Sequence, residues 1–256
     1  MESETMNEPI SDLEEPQPKR FLSRWGGIYF SPKETFQEIG QAPRVLVPIT
    51  ALLVVGLLVF ITLYSILDTE SMAANQFDQM VAKGQMTPEQ VERMAPVASV
   101  MINVQIFFVF VLGNVFYGLL IAGFVKLFSA IVGARNRFKA VFSITLFSLL
   151  AANVVHHTLL LMVVYLKGSS DMDLMSLVYA VSSNLNGLLS SFLEPEVLPK
   201  YLMSLFRYVD IFAIWIISLI SIGSAAVSKK LKTSTAAMWL GGAYAMMALI
   251  GSAFGA

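Results

Sequence analysis

The sequence predicts an all-α integral membrane protein with five transmembrane helices. Of its 256 residues, 56% are hydrophobic and only 14% are charged, whereas a typical soluble domain has about 45–50% apolar and about 25% charged residues. The apolar residues are concentrated in blocks long enough to cross a bilayer core about 30 Å thick. Lys and Arg cluster at alternate ends of these blocks, and this pattern predicts which ends of the spans face the cytoplasm.

The fourth apolar block defines that orientation best. It carries no charge between Ile211 and Ser228 and is followed by Lys229, Lys230 and Lys232. Because basic flanks stay on the cytoplasmic side, we expect the chain to run inward here, with a cytoplasmic N-terminus and an outside C-terminus. The five spans are predicted at about residues 45–67, 97–128, 138–166, 201–227 and 235–254, within a membrane domain of residues 45–256. This topology puts twelve of the 17 basic residues inside.

Two segments precede the first span. Residues 1–18 are acidic and lack aromatic residues, which predicts a disordered cytoplasmic tail and no cleavable signal peptide. Residues 19–44 are predicted to form an interfacial segment and a short helix. Basic and aromatic side chains favour lipid headgroups. The expected lipid contacts are made by Lys19, Arg20, Arg24 and Trp25, as an ordinary anchor or as a lipid- or partner-recognition element.

The short helix has local start and stop signals. Ser31 is the expected N-cap, Pro32 occupies the first helical position, and Glu34 completes a capping box. Gly40 is the expected end of this helix.

Two regions are predicted to lie outside the membrane core. Asp68 to Pro96 is polar, and Gly84 and a capping box at Thr87 indicate a helical hairpin whose second helix runs through Met94. The second span is then expected to start at Val97. The stretch from Leu174 to Leu193 is apolar but rich in Ser and Asn, which predicts an interfacial or re-entrant helix rather than a sixth span.

Several polar residues fall at the outer ends of the predicted spans. Polar side chains are costly in a bilayer, so they are candidates for function. The predicted outer-leaflet polar cluster comprises Asn103, Gln105, Asn153, His156, His157, Arg207 and Asp210. Its members could bind a proton, a metal or a lipid headgroup, or could simply form interhelical hydrogen bonds. Adjacent His156 and His157 point about 100° apart on a helix, which is poor geometry for chelating one ion.

The last span carries small residues at steps of three and four. Such a stripe allows another helix to approach closely, within the bundle or in a homo-oligomer. The stripe comprises Gly241, Ala245, Ala248, Ser252 and Gly255.

Other function classes find no support in the sequence. There is no cysteine, which excludes disulfides and thiolate metal sites. No hydrolase, zincin, P-loop or dinucleotide motif occurs, and no basic patch indicates nucleic-acid binding. We therefore expect no catalytic residues, no metal and no cofactor.

The ordered pattern of residues resembles the prokaryotic branch of the Yip1 family from about Phe30 to the end. The matching positions are Ser31, Pro32, Phe36, Ile39, Pro43 and Pro48 before span one, Gly133 and Phe138-Lys139-Ala140 at span three, and Asp210, Phe212, Trp215, Gly223, Lys232 and Ala236. The resemblance implies five spans, a cytoplasmic N-terminus and no established catalysis. The acidic-Leu-Tyr-Gly-Pro and Gly-Tyr-Gly motifs of the eukaryotic branch do not occur, so it does not imply Rab GTPase binding.

The sequence thus favours a non-catalytic, multi-pass protein of the bacterial inner membrane with a membrane-organising or adaptor role. Its expected partners are membrane lipids, and other membrane proteins or a second copy of the chain. The alternatives are a small transporter or lipid translocator that uses the polar cluster and, third, an intramembrane enzyme.

Overall fold

The fold is a helical bundle in which apolar helices pack side by side. The structure is a computed structural model that describes residues 20–168, 177–190, 192 and 198–254. These residues form helices and no β-strand. The helices are α1 (Phe21–Phe30), α2 (Pro32–Gln41), α3 (Leu46–Ile66), α4 (Thr69–Ala82), α5 (Pro88–Phe107), a π-helical segment (Phe108–Leu112), α6 (Gly113–Ile131), α7 (Phe138–Lys167), α8 (Leu185–Leu189), α9 (Lys200–Phe206), α10 (Ile211–Ala226) and α11 (Thr233–Phe254).

Four of the described helices are long and apolar enough to cross a membrane. They are α3, the continuous helix Pro88–Ile131, α7 and α11. The chain is therefore a multi-pass membrane protein. The prediction of a single helical span at 201–227 is wrong, because the helix is interrupted between α9 and α10. The apolar α10 has 16 residues, or about 24 Å at about 1.5 Å per residue, which is shorter than the bilayer core.

Helix α7 is the centre of the bundle. It packs against α1, α2, α3, α6 and α10, and every residue from Val141 to Ala152 except Phe142 is buried. A helix that is apolar around its whole circumference belongs in the middle of a bundle. The hydroxyls of Thr145 and Ser148 donate to carbonyls one turn earlier, which satisfies polar groups where water has no access.

The first two helices pack on one end of the bundle. Helix α2 begins at Pro32 as predicted, but the capping box is wrong. Ser31 also ends α1, and its amide and hydroxyl both donate to the carbonyl of Gly27. Gly40 does not end α2, which continues to Gln41. The missing side chain of Gly40 makes room for Val227.

Arg24 corrects the prediction of a lipid-facing basic segment. Its side chain is 2% exposed, its Nε donates to Glu38 Oε1 at 3.1 Å, and its Nη1 donates to the carbonyl of Ala42 at 3.0 Å. Trp25 is half-buried and packs on the bundle. Arg20 is exposed, whereas Lys19 and the acidic tail lie outside the described residues.

The helical hairpin predicted between Asp68 and Pro96 is confirmed in its helices and its turn. Gly84 adopts a positive φ of 67°, and Thr87 and Gln90 form the complete capping box. The predicted end of the second helix at Met94 is wrong, since α5 continues without a break to Phe107. Pro96 is tolerated there because it is exposed and costs only one backbone hydrogen bond, whose freed carbonyl belongs to exposed Glu92.

The stretch from Leu174 to Leu193 is not one helix where the structure describes it. Over 177–190 it contains irregular chain and the five-residue α8, while 174–176, 191 and 193 lie outside the described residues. The buried Leu177 and Ala180 pack with Leu67 and Val164 at the carboxyl ends of α3 and α7. The stretch therefore folds over the end of the bundle.

Helix α11 packs through a stripe that differs in part from the predicted one. Ala248 and Ser252 are buried, but Ala245 is exposed, a Cβ on Gly241 would meet open space, and Gly255 lies outside the described residues. The observed stripe has a strict spacing of four, because the helix packs against α9 and α10 along one ridge. It comprises Ala236, Leu240, Tyr244, Ala248 and Ser252.

Candidate functional site: a cavity between α6, α7, α10 and α11

A cavity of about 690 Å³ lies between α6, α7, α10 and α11. It is closed at one end by the segments 178–184 and 207–210. This volume is within the range of about 300–1,000 Å³ found for small-molecule sites.

Most of the cavity wall is apolar. Most of the apolar side chains come from three of the four helices, α6, α10 and α11. They are Leu120, Ile121, Phe124, Ile216, Ile217, Ile220, Leu240, Ala243 and Met247.

The mouth of the cavity faces the outside of the bundle. Leu120 and Met247 line the cavity and are 72% and 54% exposed, respectively. Both lie on membrane-spanning helices, where exposed apolar side chains contact lipid tails. The cavity is therefore accessible from the bilayer.

The polar end of the cavity is organised by Asp210. Its Oδ1 accepts hydrogen bonds from the amides of Phe212 and Ala213 at 2.8 and 3.0 Å, so it caps α10. Its Oδ2 accepts a short hydrogen bond from the hydroxyl of Ser183. Such a charge-assisted cap satisfies the first amides of α10, which have no hydrogen-bond partner within the helix.

Backbone hydrogen bonds join the two segments that close this end. The amide of Leu185 donates to the carbonyl of Val209 at 2.8 Å, and the amide of Ile211 donates to the carbonyl of Ser183 at 3.2 Å. Together they form an isolated antiparallel bridge between Asn184 and Asp210. The bridge holds Asp210 beside Ser183 and fixes the polar wall.

Arg207 lies over a tyrosine rather than beside a carboxylate. Its guanidinium carbon is 5.9 Å from the ring centroid of Tyr179. Arg207 and Asp210 form no ion pair in the described part of the chain, because the helix is interrupted between them. Burial raises the pKa of Tyr179, so its hydroxyl stays protonated and can donate a hydrogen bond.

Two tyrosines tie α11 to the polar end. The hydroxyl of Tyr244 donates to the carbonyl of Tyr208 at 2.9 Å, and their rings meet edge to face. The ring of Tyr208 also contacts Gly251, where any side chain would overlap it. These contacts set the width of the cavity between α10 and α11.

The structure brings together four of the seven residues predicted for the polar cluster. Asn153, His156, Arg207 and Asp210 line the cavity. The Nδ2 of Asn153 donates to Asn114 Oδ1 at 2.8 Å, which links α7 to α6. The ring of His156 meets Phe212 edge to face at 5.0 Å.

The other three residues lie elsewhere. Asn103 donates to Thr69 Oγ1 at 3.3 Å and to the carbonyl of Ser99 at 2.9 Å, so it joins α5 to α4. Gln105 lies on α5 outside the cavity wall. His157 is 6% exposed and packs against Phe110 of the π-helical segment, on another face of α7 from His156.

Sequence reasoning missed several polar residues of the cavity. An Asp directly before an apolar run is a readable N-cap signal, and it would have placed the start of α10 at Ile211. Ser183 and Tyr179 carry no comparable signal, since their place in the wall depends on the antiparallel bridge. The missed residues are Tyr117, Tyr179, Ser183, Asn184, Tyr208 and Tyr244.

This arrangement suits an amphiphile. The apolar wall matches a hydrocarbon chain, and the polar end offers the Arg207 cation, the Asn153 amide, the His156 ring and tyrosine hydroxyls to a headgroup. Within the described ranges, no three His, Asp or Glu side chains are grouped as metal ligands would be.

Comparison with known proteins places the chain in a family. The family model named Yip1 domain matches residues 26–254, which is nearly the whole chain and includes every helix that lines the cavity. No curated protein matches, and no solved structure matches. A multi-pass membrane protein whose sequence matches that model over this length belongs to the Yip1 family.

Proposed function

We propose that this protein is a non-catalytic, membrane-organising protein that holds a membrane lipid in the cavity between α6, α7, α10 and α11. The observation that carries the proposal is the cavity itself, which has an apolar wall, a polar end and a mouth beside lipid-exposed side chains. A bound lipid would be one component of an adaptor role, in which the chain arranges lipids around itself or around a partner membrane protein.

The polar end supports a lipid headgroup rather than a reacting substrate. Both carboxylate oxygens of Asp210 are occupied by hydrogen bonds within the chain, and Asn153 is bonded to Asn114. Groups held in this way shape a site and select a ligand. The cation of Arg207 is exposed and lies over a ring, where it can also meet a headgroup phosphate.

The proposed location is the bacterial inner membrane. The resemblance of the sequence to prokaryotic members and the basic residues at one end of the bundle support it. The proposed partners are lipids first, and then other membrane proteins or a second copy of the chain.

Retention of lipid tests the proposal. The full chain would be reconstituted in nanodiscs of phosphatidylethanolamine and phosphatidylglycerol, extracted in mild detergent, and examined by native mass spectrometry. We expect lipid to remain bound to the wild type. We expect Ala243→Phe to lose it, because the ring would fill the cavity from α11.

Met246→Phe is the matched control. It places the same ring on the same helix, but Met246 is 61% exposed and does not line the cavity. Equal lipid retention by both variants would contradict the proposal.

Lipid translocation is the alternative that the same preparation distinguishes. A fluorescent-lipid assay in liposomes would detect scrambling, and we expect none above protein-free liposomes. Scrambling that Ala243→Phe abolishes would favour the translocator over the organising role.

A further inference from the structure

A second groove lies at the opposite end of α7 and α10 from the polar end of the lipid cavity, and its volume is about 730 Å³. It is bounded by the carboxyl end of α2, the segment 135–137, the first turn of α7 and the segment 226–229. The groove is thus located where spans leave the membrane, at the end that the basic residues predict to be cytoplasmic.

The groove is strongly basic. Arg135, Arg137 and Lys229 line it, together with the amides of Gln37, Gln41 and Asn136, and none of its lining residues carries a carboxylate. Arg137 is held in place by a hydrogen bond from its Nη2 to the carbonyl of Gly40 at 3.3 Å. No carboxylate among the lining residues balances these three cations, which favours a ligand with more than one negative charge.

The amino terminus of α7 adds to the positive electrostatic potential of the groove. The helix has 30 residues, its N-cap Arg137 makes no side-chain capping bond, and its first turn has no acidic residue. The partial positive charge of the helix end is therefore not compensated by the chain. The carboxyl end of α10 also reaches the groove, where Lys229 offsets its partial negative charge.

A buried hydroxyl is a separate observation at the same place. Ser228 lines the groove and is 8% exposed, and its Oγ is buried without a hydrogen-bond partner. Buried hydroxyls are nearly always hydrogen-bonded in folded proteins. A rotation of the Ser228 side chain about its Cα–Cβ bond would bring this hydroxyl to the acceptor oxygens of a ligand in the groove.

We propose that this groove binds a phosphate group through Arg135, Arg137, Lys229, Ser228 and the amino terminus of α7. A phosphate offers the several acceptor oxygens and the charge that these donors require. It is carried either by the headgroup of an anionic lipid or by a soluble compound. This inference does not depend on the lipid cavity, which lies at the other end of the same helices.

The test compares two triple variants with the same change in net charge. Arg135→Gln/Arg137→Gln/Lys229→Gln removes the cations of the groove. Lys139→Gln/Lys230→Gln/Lys232→Gln removes three exposed cations from the same end of the bundle that do not line it. Binding would be measured with the full chain in phosphatidylcholine nanodiscs containing spin-labelled phosphatidic acid.

We expect the groove variant to weaken phosphatidic acid binding by about tenfold or more and the control by about threefold or less, because close charge-assisted bonds exceed general surface attraction. Ser228→Ala should weaken binding by about threefold at unchanged net charge. Equal losses in the two triple variants, or no loss in the groove variant, would overturn the proposal.

A second arm identifies the source of the phosphate. Inorganic phosphate and glycerol 3-phosphate would be titrated into the protein in a neutral detergent by calorimetry. Binding that the groove variant abolishes supports a soluble ligand. If only phosphatidic acid binding depends on the groove, the ligand is a lipid headgroup. Thermal unfolding of each variant checks that it is folded, and the single variant Arg135→Gln at an exposed position provides a milder comparison.

Discussion

The guanidinium of Arg24 forms a buried ion pair with Glu38, at 3.1 Å from Nε to Oε1, and this pair joins α1 to α2. Arg24 is 2% exposed, so its charge is compensated by the chain and not by lipid. The pair therefore holds α1 against α2, close to the basic groove.

The first prediction is that Glu38→Gln destabilises the protein by about 2–4 kcal/mol, since it leaves a buried guanidinium without its counter-charge. The melting temperature in detergent micelles should fall accordingly. Glu34→Gln on the exposed face of the same helix is the control, and it should change stability by no more than about 0.5 kcal/mol. Equal shifts for the two variants would mean that the pair does not hold α1 to α2.

The second prediction concerns the contact between α2, α7 and α10. A Cβ on Gly223 would overlap Ile144 and come within 3.1 Å of the ring of Phe36, and both side chains are fully buried. Gly223→Ala should cost about 1–3 kcal/mol, because the packed neighbours cannot move aside. Thermal unfolding in detergent would measure the loss. Gly123→Ala, where a Cβ meets open space, should be nearly neutral; a loss of similar size there would contradict the packing argument.

The third prediction separates two substitutions at Asp210. Asn can still cap α10 with its oxygen, and its amide can donate to Ser183, so Asp210→Asn should cost less than about 1 kcal/mol. Asp210→Ala removes the cap and the charge-assisted hydrogen bond from the Ser183 hydroxyl, whose remaining partner is the carbonyl of Val181 at 3.3 Å, and this should cost about 2–4 kcal/mol. Equal losses measured by thermal unfolding would show that the charge of Asp210, and not its hydrogen bonds, stabilises the closed end of the cavity.

The fourth prediction is topological. With five crossings, a reporter fused after α11 should be active only outside the cytoplasm, and one inserted at Lys230, between α10 and α11, only inside. Reporter activity on the same side at both positions would mean that α11 does not cross. A cytoplasmic C-terminus would exclude five crossings. The number of crossings would then differ at the short α10 or at the stretch from Leu174 to Leu193.

Local signals were sufficient for the membrane-spanning helices and several helix starts. Hydrophobicity adds up along one continuous stretch, so the helices at Leu46–Ile66, Phe138–Lys167 and Thr233–Phe254 could be placed within a few residues. The starts of α2 and α5 were also predictable. Pro32 favours the first position of a helix, and the capping box at Thr87 involves only Gln90, three residues further along the chain.

Only part of the candidate site could be predicted. Hydropathy shows which polar residues occur within or beside an apolar helix, but it does not show which side chains they contact. Asn153, His156, Arg207 and Asp210 were placed at one depth and do line one cavity. The other three do not line it: Asn103 bonds to Thr69 of α4, Gln105 lies outside the cavity wall, and His157 packs on the π-helical segment. The face that each presents depends on the rotation of its helix, which packing decides.

The sequence by itself determined that this chain is a multi-pass membrane protein and where most of its apolar helices begin and end. Only the tertiary structure decided that Arg24 is buried against Glu38. It also decided that Ser183, 27 residues before Asp210, meets that carboxylate. The physical reason is that burial and hydrogen bonding in these two cases arise between segments brought together by packing, whereas hydrophobicity and helix capping act along the chain.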